Sequence, residues 1–188
     1  KRKQIMKRSR LISIAVALLL PLAAIADSYT SLWKQYDVAV RKDHPQTVLR
    51  LLSQIADKAQ RERAYGQLLK AQVKSADYQC ELSADSLQPV VERMKLMEQQ
   101  AVNSGDNVLA AIYQSVLGSV YTNNSFALDD AKATGKQYFK KSMSHPDALA
   151  KAYATGYEPF VVDGVDSKYY YDDMLHIIGI AAGDYRGM

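Results

Sequence analysis

The chain has 188 residues, of which 48% are hydrophobic, and a formal net charge of +4 at neutral pH. Six of its 24 basic residues lie within positions 1–10, so the rest of the chain holds 18 basic and 20 acidic residues and is slightly acidic. A slightly acidic body with no basic-aromatic strip gives no support to nucleic-acid binding, and we expect none. The single cysteine, Cys80, cannot form a disulfide within the chain.

Residues 1–26 have the pattern of a secretory signal peptide. The basic positions 1–10 are followed by an almost wholly apolar run at 11–25, and positions 24–26 (Ala-Ile-Ala) fit a cleavage site that would leave Asp27 as the new N-terminus. The apolar run is shorter than the roughly 20 residues that a spanning helix needs. An uncleaved anchor is the alternative, and it is the only membrane contact that we expect. We therefore predict an exported protein, periplasmic, in the cell envelope or extracellular.

Residues 32–69 have the pattern of helices joined by tight turns. The apolar residues of the first helix recur every three or four positions, as on one helix face: Leu32, Trp33, Tyr36, Ala39 and Val40. Pro45 suits the first position of a second helix, with His44 or Asp43 as its N-cap. Helices with so short a linker pack antiparallel. The Trp33-x-x-Tyr36 pair, near the start of a unit of about 34 residues, is typical of tetratricopeptide repeats.

The helical pattern continues along the chain. We expect the third helix to end near Ala76 and 77–82 to be a connector. Gly105 suits the left-handed residue that ends a fourth helix, and Asp106 suits the N-cap of a strongly periodic fifth helix, in which Gly118 marks a close helix contact. The other expected boundaries are a start of the fourth helix after a Ser86 cap, a sixth helix at about 136–143, a seventh from the turn at 144–147 to about Ala154, and a last one from an Asp172 cap to about Gly183.

The predicted fold is all-α: stacked antiparallel helical hairpins in a tetratricopeptide-like α-solenoid, after the signal peptide. We predict a helical-repeat region at 27–155. A tyrosine-rich loop and a terminal helix at 156–188 would then lead into further domains. The only strand-like run, 160–162, is too short to build a sheet.

No residue constellation typical of an enzyme is found in the sequence. His44 and His145 precede prolines at expected helix starts, and His176 lies in an apolar helix, so turn formation and packing explain all three. The acidic run 163–167 lacks the alternating oxygen ligands and closing glutamate of a calcium loop. We therefore expect no enzyme activity, no metal and no cofactor. A hydrolase that uses Asp163, Asp166 or His176 is the alternative.

A tyrosine-rich segment before the terminal helix is the candidate interaction surface. Three consecutive tyrosines in a loop cannot all face one small core, so they would either pack under a neighbouring domain or anchor the loop to the last helix. The predicted surface consists of seven aromatic and acidic residues: Tyr157, Phe160, Asp163, Asp166, Tyr169, Tyr170 and Tyr171.

Most of the chain after the signal peptide resembles the N-terminal helical region of large exported bacterial α2-macroglobulin-like proteins. The most distinctive stretch is YEPFVVDGVDSKYYYDDMLHIIGIAAGDY at 157–185. Four shorter stretches add to the resemblance: SLWKQY at 31–36, ERAYGQLLKAQ at 62–72, DSLQPVVERMKLMEQQA at 85–101 and VLAAIYQSVLGSVY at 108–121.

The resemblance implies a scaffold in front of a series of macroglobulin-type β-sandwich domains. Larger members of that family trap or inhibit proteases in the envelope. The family's thioester motif, Cys-Gly-Glu-Gln, has no counterpart here, because Cys80 is followed by Glu81 and Leu82. We therefore expect a non-enzymatic exported protein-interaction module, part of an endopeptidase inhibitor. Its partners would be downstream macroglobulin-type domains or another envelope protein, and proteases through the full-length protein. A free-standing periplasmic tetratricopeptide-like adaptor is the alternative.

Overall fold

A computed structural model describes residues 28–162, 164 and 171–184, and these fold into α-helices and short 3-10 helices. The predicted signal peptide and the predicted surface residues Asp163, Asp166, Tyr169 and Tyr170 lie outside the described residues. The α-helices, in chain order, are α1 (28–41), α2 (Pro45–Glu62), α3 (Tyr65–Leu82), α4 (Leu87–Asn103), α5 (Asn107–Asn123), α6 (Ala131–Ser142), α7 (Pro146–Leu149) and α8 (Met174–Asp184). The 3-10 helices are Ala84–Ser86 and Ala154–Tyr157.

The predicted all-helical class is confirmed for the described part of the chain. The described residues contain no β-strand, and a single antiparallel bridge joins Tyr153 and Asp173. None of the described helices is long and apolar enough to cross a membrane.

Three helix junctions share one geometry. In each, one residue adopts a left-handed conformation, and the backbone N–H groups of that residue and the next reach back to the final turn of the preceding helix. The left-handed residues are Asp43 between α1 and α2, Arg63 between α2 and α3, and Gly105 between α4 and α5. The predicted roles of Gly105 and Asp106 are confirmed: the Asp106 carboxylate accepts a hydrogen bond from the Leu109 N–H at 3.0 Å. His44 occupies the N-cap position of α2, without a side-chain capping bond.

Three apolar clusters form the core. The first joins α1, α2 and α3 around Leu51, Leu52 and Ile55. The second joins α3, α4, α5 and α6 with the loop before α6, around Val91 and Leu117. The third joins α3, α4, α5, α7 and α8, so the C-terminal helix belongs to the same packed body. α5 lies in the middle of the fold, and Gly118 allows the Phe139 ring of α6 to approach within 2.9 Å of where a Cβ would lie.

Polar contacts also link helices that are not consecutive. The Trp33 indole N–H of α1 donates to Gln67 of α3 at 2.7 Å. The Tyr113 hydroxyl of α5 donates to Gln72, also on α3, at 2.7 Å. Between α4 and α6, Lys141 reaches Glu98 at 3.0 Å. These three bonds join α1 to α3, α3 to α5 and α4 to α6.

Five predicted details were wrong. α6 begins at Ala131, earlier than the predicted start near 136. Val40 is 40% exposed and does not face the core. Residues 77–82 are the last turns of α3, because nothing in that segment breaks a helix. α7 ends at Leu149, because the backbone after it pairs with the start of α8: Met174 N–H donates to Ala152 and Ala154 N–H to Asp172. Asp173, one residue later than predicted, caps α8 through the His176 N–H at 3.0 Å.

Candidate interaction surface

The described residues of the predicted surface fall into two environments. Tyr157 and Phe160 are half-buried and pack on the core cluster of α5 and α8. Burial raises the pKa of the Tyr157 hydroxyl to about 12. Phe160 also lines a small apolar cavity of about 120 Å³ between α5 and α8. These two side chains anchor the segment to the helices.

Tyr171, by contrast, is 73% exposed. Its only described ring contact is with His176, at 4.8 Å between ring centroids. Two other large apolar side chains near this segment are also exposed: Tyr153 at 64% and Val162 at 70%. The bridge between Tyr153 and Asp173 brings Tyr153 near Tyr171 along the backbone, and contiguous exposed apolar area is typical of contact surfaces.

The pair Asp173 and His176 is the most chemically suggestive contact in the C-terminal part. The His176 ring Nδ1 lies 2.8 Å from the Asp173 carboxylate, which also accepts the His176 backbone N–H. Burial opposes the ionisation of Asp173, but these hydrogen bonds outweigh it and lower its pKa. A carboxylate at the first turn of a helix that accepts a backbone N–H is an N-cap. The geometry is therefore explained by capping of α8.

A polar groove of about 370 Å³ lies between α4, α5 and α6. Two tyrosines form its wall: the rings of Tyr121 and Tyr138 stack at 5.7 Å with an angle of 20° between their planes. The ammonium groups of Lys95 and Lys141 each lie 5.8 Å from one of these rings. Thr134 and Gln137 of α6 complete the lining.

A buried carboxylate holds one of these lysines in place. Glu98 of α4 is 5% exposed and accepts hydrogen bonds at one oxygen from Gln114 of α5 at 2.7 Å and from Lys141 of α6 at 3.0 Å. On the other side of the groove, Glu92 pairs with Lys95 at 2.8 Å. Hydrogen bonds with Glu92 and Tyr121 raise the pKa of Lys95, so its charge persists throughout the neutral range.

The sequence reasoning missed this groove. One signal was present, because Glu98 lies four residues after Met94 and three before Ala101, on the apolar stripe of its helix. An acidic residue in a core register requires a hydrogen-bonding or ion-pairing partner. The identity of the partner could not be read from the chain, because Lys141 lies 43 residues away.

A second set of lysine–aromatic contacts lies on the first three helices. Lys70 of α3 lies 4.7 Å from the Trp33 ring, and Lys74 lies 5.8 Å from the Tyr36 ring. Trp33 is half-buried, because its indole N–H bonds to α3 while one ring face meets Lys70. Such contacts contribute about 0.5–1 kcal/mol each at exposed sites. They account for these lysines as packing residues.

Metal and thiol chemistry have little support in the described part of the chain. No group of three or more His, Cys, Asp or Glu side chains there is placed to hold a metal ion. Cys80 is half-buried on α3, and burial raises the pKa of its thiol, which disfavours the reactive thiolate. The groove and the C-terminal segment are two surfaces with features of a binding site.

Comparison with known proteins found no matching family model, no matching curated protein and no matching solved structure.

Proposed function

We propose that this protein is a non-enzymatic, exported helical scaffold that mediates protein contacts at the front of an α2-macroglobulin-like, protease-trapping envelope protein. The observation that carries the scaffold function is the set of hydrogen bonds between non-consecutive helices. In repeat proteins each unit of 20–45 residues contacts its neighbours in sequence. The bonds Trp33–Gln67, Tyr113–Gln72 and Lys141–Glu98 join residues 34, 41 and 43 positions apart, which fits stacked helical hairpins.

The contact surface toward other domains is the C-terminal segment. It comprises Tyr157, Phe160 and Tyr171 together with Asp163, Asp166, Tyr169 and Tyr170. Anchoring of Tyr157 and Phe160 on the core would hold the segment at a fixed place. Exposed Tyr171, with Tyr153 and Val162 beside the segment, would supply apolar area to a neighbouring domain. A partly anchored aromatic segment is suited to carry a second domain.

The alternative is a free-standing periplasmic adaptor built like a tetratricopeptide array. The specific observation in its favour is the 34-residue separation of Trp33 and Gln67, which equals the length of that repeat. The two functions differ in the sequence that they require beyond position 188. The scaffold requires macroglobulin-type domains in the same reading frame, and the adaptor requires none.

Two experiments test the proposal. The reading frame beyond the codon for Met188 should encode β-sandwich domains, and a stop codon there would leave the adaptor. Fractionation of cells that express the tagged protein should place it outside the cytoplasm. Mass spectrometry of that protein should show that its N-terminal residue is Asp27. A cytoplasmic protein that retains its first 26 residues would contradict export.

A crosslinking experiment tests the contact surface in the full-length protein. A photo-reactive side chain at position 171 should link to residues of a downstream domain, identified as linked peptides by mass spectrometry. The same side chain at the exposed position Gln99 of α4 serves as the control. Equal linkage from both positions would contradict a contact surface at Tyr171.

A further inference from the structure

The exposed face of α6 has an unusual charge. The helix contains four lysines and no acidic residue. Lys132, Lys136 and Lys140 follow one another at four-residue spacing, so they form one exposed stripe. Like charges at this spacing destabilise a helix by about 0.2–0.5 kcal/mol per pair. Within the described residues none of the three forms an ion pair, so the fold itself does not explain them.

The stripe and the groove between α4, α5 and α6 flank the exposed face of α6, since Lys132 and Lys136 lie on a different side of the helix from the groove-lining Tyr138 and Lys141. Lys141, next to Lys140, lies at the groove wall, and its side chain is 56% exposed although Glu98 holds it. Lys95, on the lining helix α4, is paired with the 56% exposed Glu92. Buried Glu98 fixes one ammonium, while exposed Glu92 can be displaced from the other. Gln137 and Thr134 add hydrogen-bonding groups from α6 itself.

We propose that the lysine stripe of α6 and the adjoining groove bind an acidic peptide segment of a partner protein. Carboxylates of the segment pair with Lys132, Lys136 and Lys140, and one carboxylate enters the groove between Lys95 and Lys141. The proposal does not depend on export or on the α2-macroglobulin-like resemblance, because it involves a different surface from the C-terminal segment.

The observations favour an acidic peptide over a membrane or a nucleic acid. The buried face of α6, which includes Ala131, Gly135 and Phe139, is packed inside the protein, so the helix has no bulky apolar face to place in a bilayer. Residues 11–188 hold 18 basic and 20 acidic residues, so the stripe is a local basic patch and not part of a long basic surface that would follow a nucleic-acid backbone. A groove with a tyrosine wall accepts a side chain, and electrostatic complementarity supplies specificity.

The test uses the full chain and a short fluorescent peptide of alternating Glu and Ala, with the Gln–Ala peptide as its neutral counterpart. Fluorescence anisotropy should detect binding of the Glu peptide only, and added salt should weaken it. The triple variant Lys132→Gln/Lys136→Gln/Lys140→Gln should lose about tenfold in affinity, the loss expected for three exposed ion pairs. Its melting temperature should be unchanged or higher, because the like-charge repulsion is relieved.

A matched control removes three positive charges from another groove. Lys34, Lys42 and Arg50 line the space between α1 and α2. The variant Lys34→Gln/Lys42→Gln/Arg50→Gln has the same net charge and should retain the affinity. Equal losses in the two variants, or equal binding of the Gln peptide, would refute the proposed site. Tighter binding to phosphatidylserine vesicles or to a single-stranded oligonucleotide than to the Glu peptide would also refute it, in favour of a different partner class.

Discussion

The backbone carbonyl of Glu158 occupies the space where a Cβ atom on Gly66 would lie. Gly66 is in the first turn of α3, and this close approach docks the 3-10 segment at 154–157 onto the helix. The absent side chain at Gly66 is therefore what allows the C-terminal segment to lie against α3. The contact connects the N-terminal helices to the segment that carries Tyr157 and Phe160.

We expect Gly66→Ala to destabilise the protein by about 1–3 kcal/mol. The added methyl group forces the backbone at Tyr157 and Glu158 away from α3, at the cost usual for overpacking, and the better helix propensity of alanine offsets only part of it. Urea denaturation measures the effect. Gly156→Ala is the matched control, because a Cβ there meets nothing within 4 Å, and it should change the free energy of unfolding by less than about 0.5 kcal/mol. Equal effects of the two substitutions would show that the backbone of Glu158 does not pack against Gly66.

Arg63→Gly is expected to stabilise the protein by about 0.5–1 kcal/mol. Arg63 has a φ of 54°, a left-handed conformation that strains a residue with a Cβ and that glycine adopts freely. Arg61→Gly, in the last right-handed turn of α2, is the control and should lose about 1 kcal/mol. Thermal denaturation of both variants gives the comparison, and a loss in both would argue against strain at Arg63.

These junctions show which parts of the fold could be predicted. The Gly105-Asp106 junction was predicted because both residue types have strong preferences for those positions. The same left-handed geometry at Arg63 was not predicted, because arginine has no preference for that conformation. The extension of α3 to Leu82 was missed because a polar segment was interpreted as a connector, although no glycine or proline ends the helix there.

Glu98→Ala is expected to cost about 1–3 kcal/mol, because the buried amide of Gln114 loses its acceptor at 2.7 Å. Glu92→Ala, on the exposed surface of the same helix, removes a surface pair with Lys95 and a long hydrogen bond from Gln88, and should cost less than about 1 kcal/mol. Chemical denaturation measures the free energy of unfolding of the two variants. Similar small losses would mean that water replaces the Glu98 carboxylate at no cost.

A double-mutant cycle between Glu98 and Lys141 isolates their interaction. Lys141→Met leaves the buried Glu98 carboxylate without its counter-charge, so this substitution alone should also destabilise the protein. We expect a coupling energy of at least about 0.5 kcal/mol, as for contacting residues in one hydrogen-bond network. Additive effects would show that α4 and α6 are not coupled through this pair.

The candidate groove could not be derived from the sequence for a physical reason. Its six lining residues come from three helices, and their meeting depends on the packing of α4 and α6 around α5. The lysines of α6 were visible in the sequence, but their nearness to a groove formed with α4 and α5 was not. The tyrosine-rich segment was predicted as an interaction surface because consecutive aromatic residues are unusual in a loop. Its anchoring through Tyr157 and Phe160 depends on a core formed mainly by distant helices.

The stability of the protein should fall as the pH rises from about 10 to about 12. Burial raises the pKa of Tyr113 to about 12, whereas a tyrosine in the unfolded chain ionises near pH 10. The unfolded state therefore loses its proton first, and the stability present below pH 10 is lost as the pH approaches the folded-state pKa. The slope is at most about 1.4 kcal/mol per pH unit for one such group.

Tyr113→Phe tests the origin of this alkaline loss. At neutral pH the variant should be less stable by about 1 kcal/mol, because Gln72 loses the hydrogen bond from the Tyr113 hydroxyl. The difference from the unsubstituted protein should narrow between pH 10 and 12, since phenylalanine has no proton to release; the remaining slope includes the contribution of Tyr157. Tyr171→Phe, at a 73% exposed ring, should leave the slope unchanged. Denaturant midpoints measured across this pH range would contradict the assignment if the Tyr113→Phe slope equals that of the unsubstituted protein.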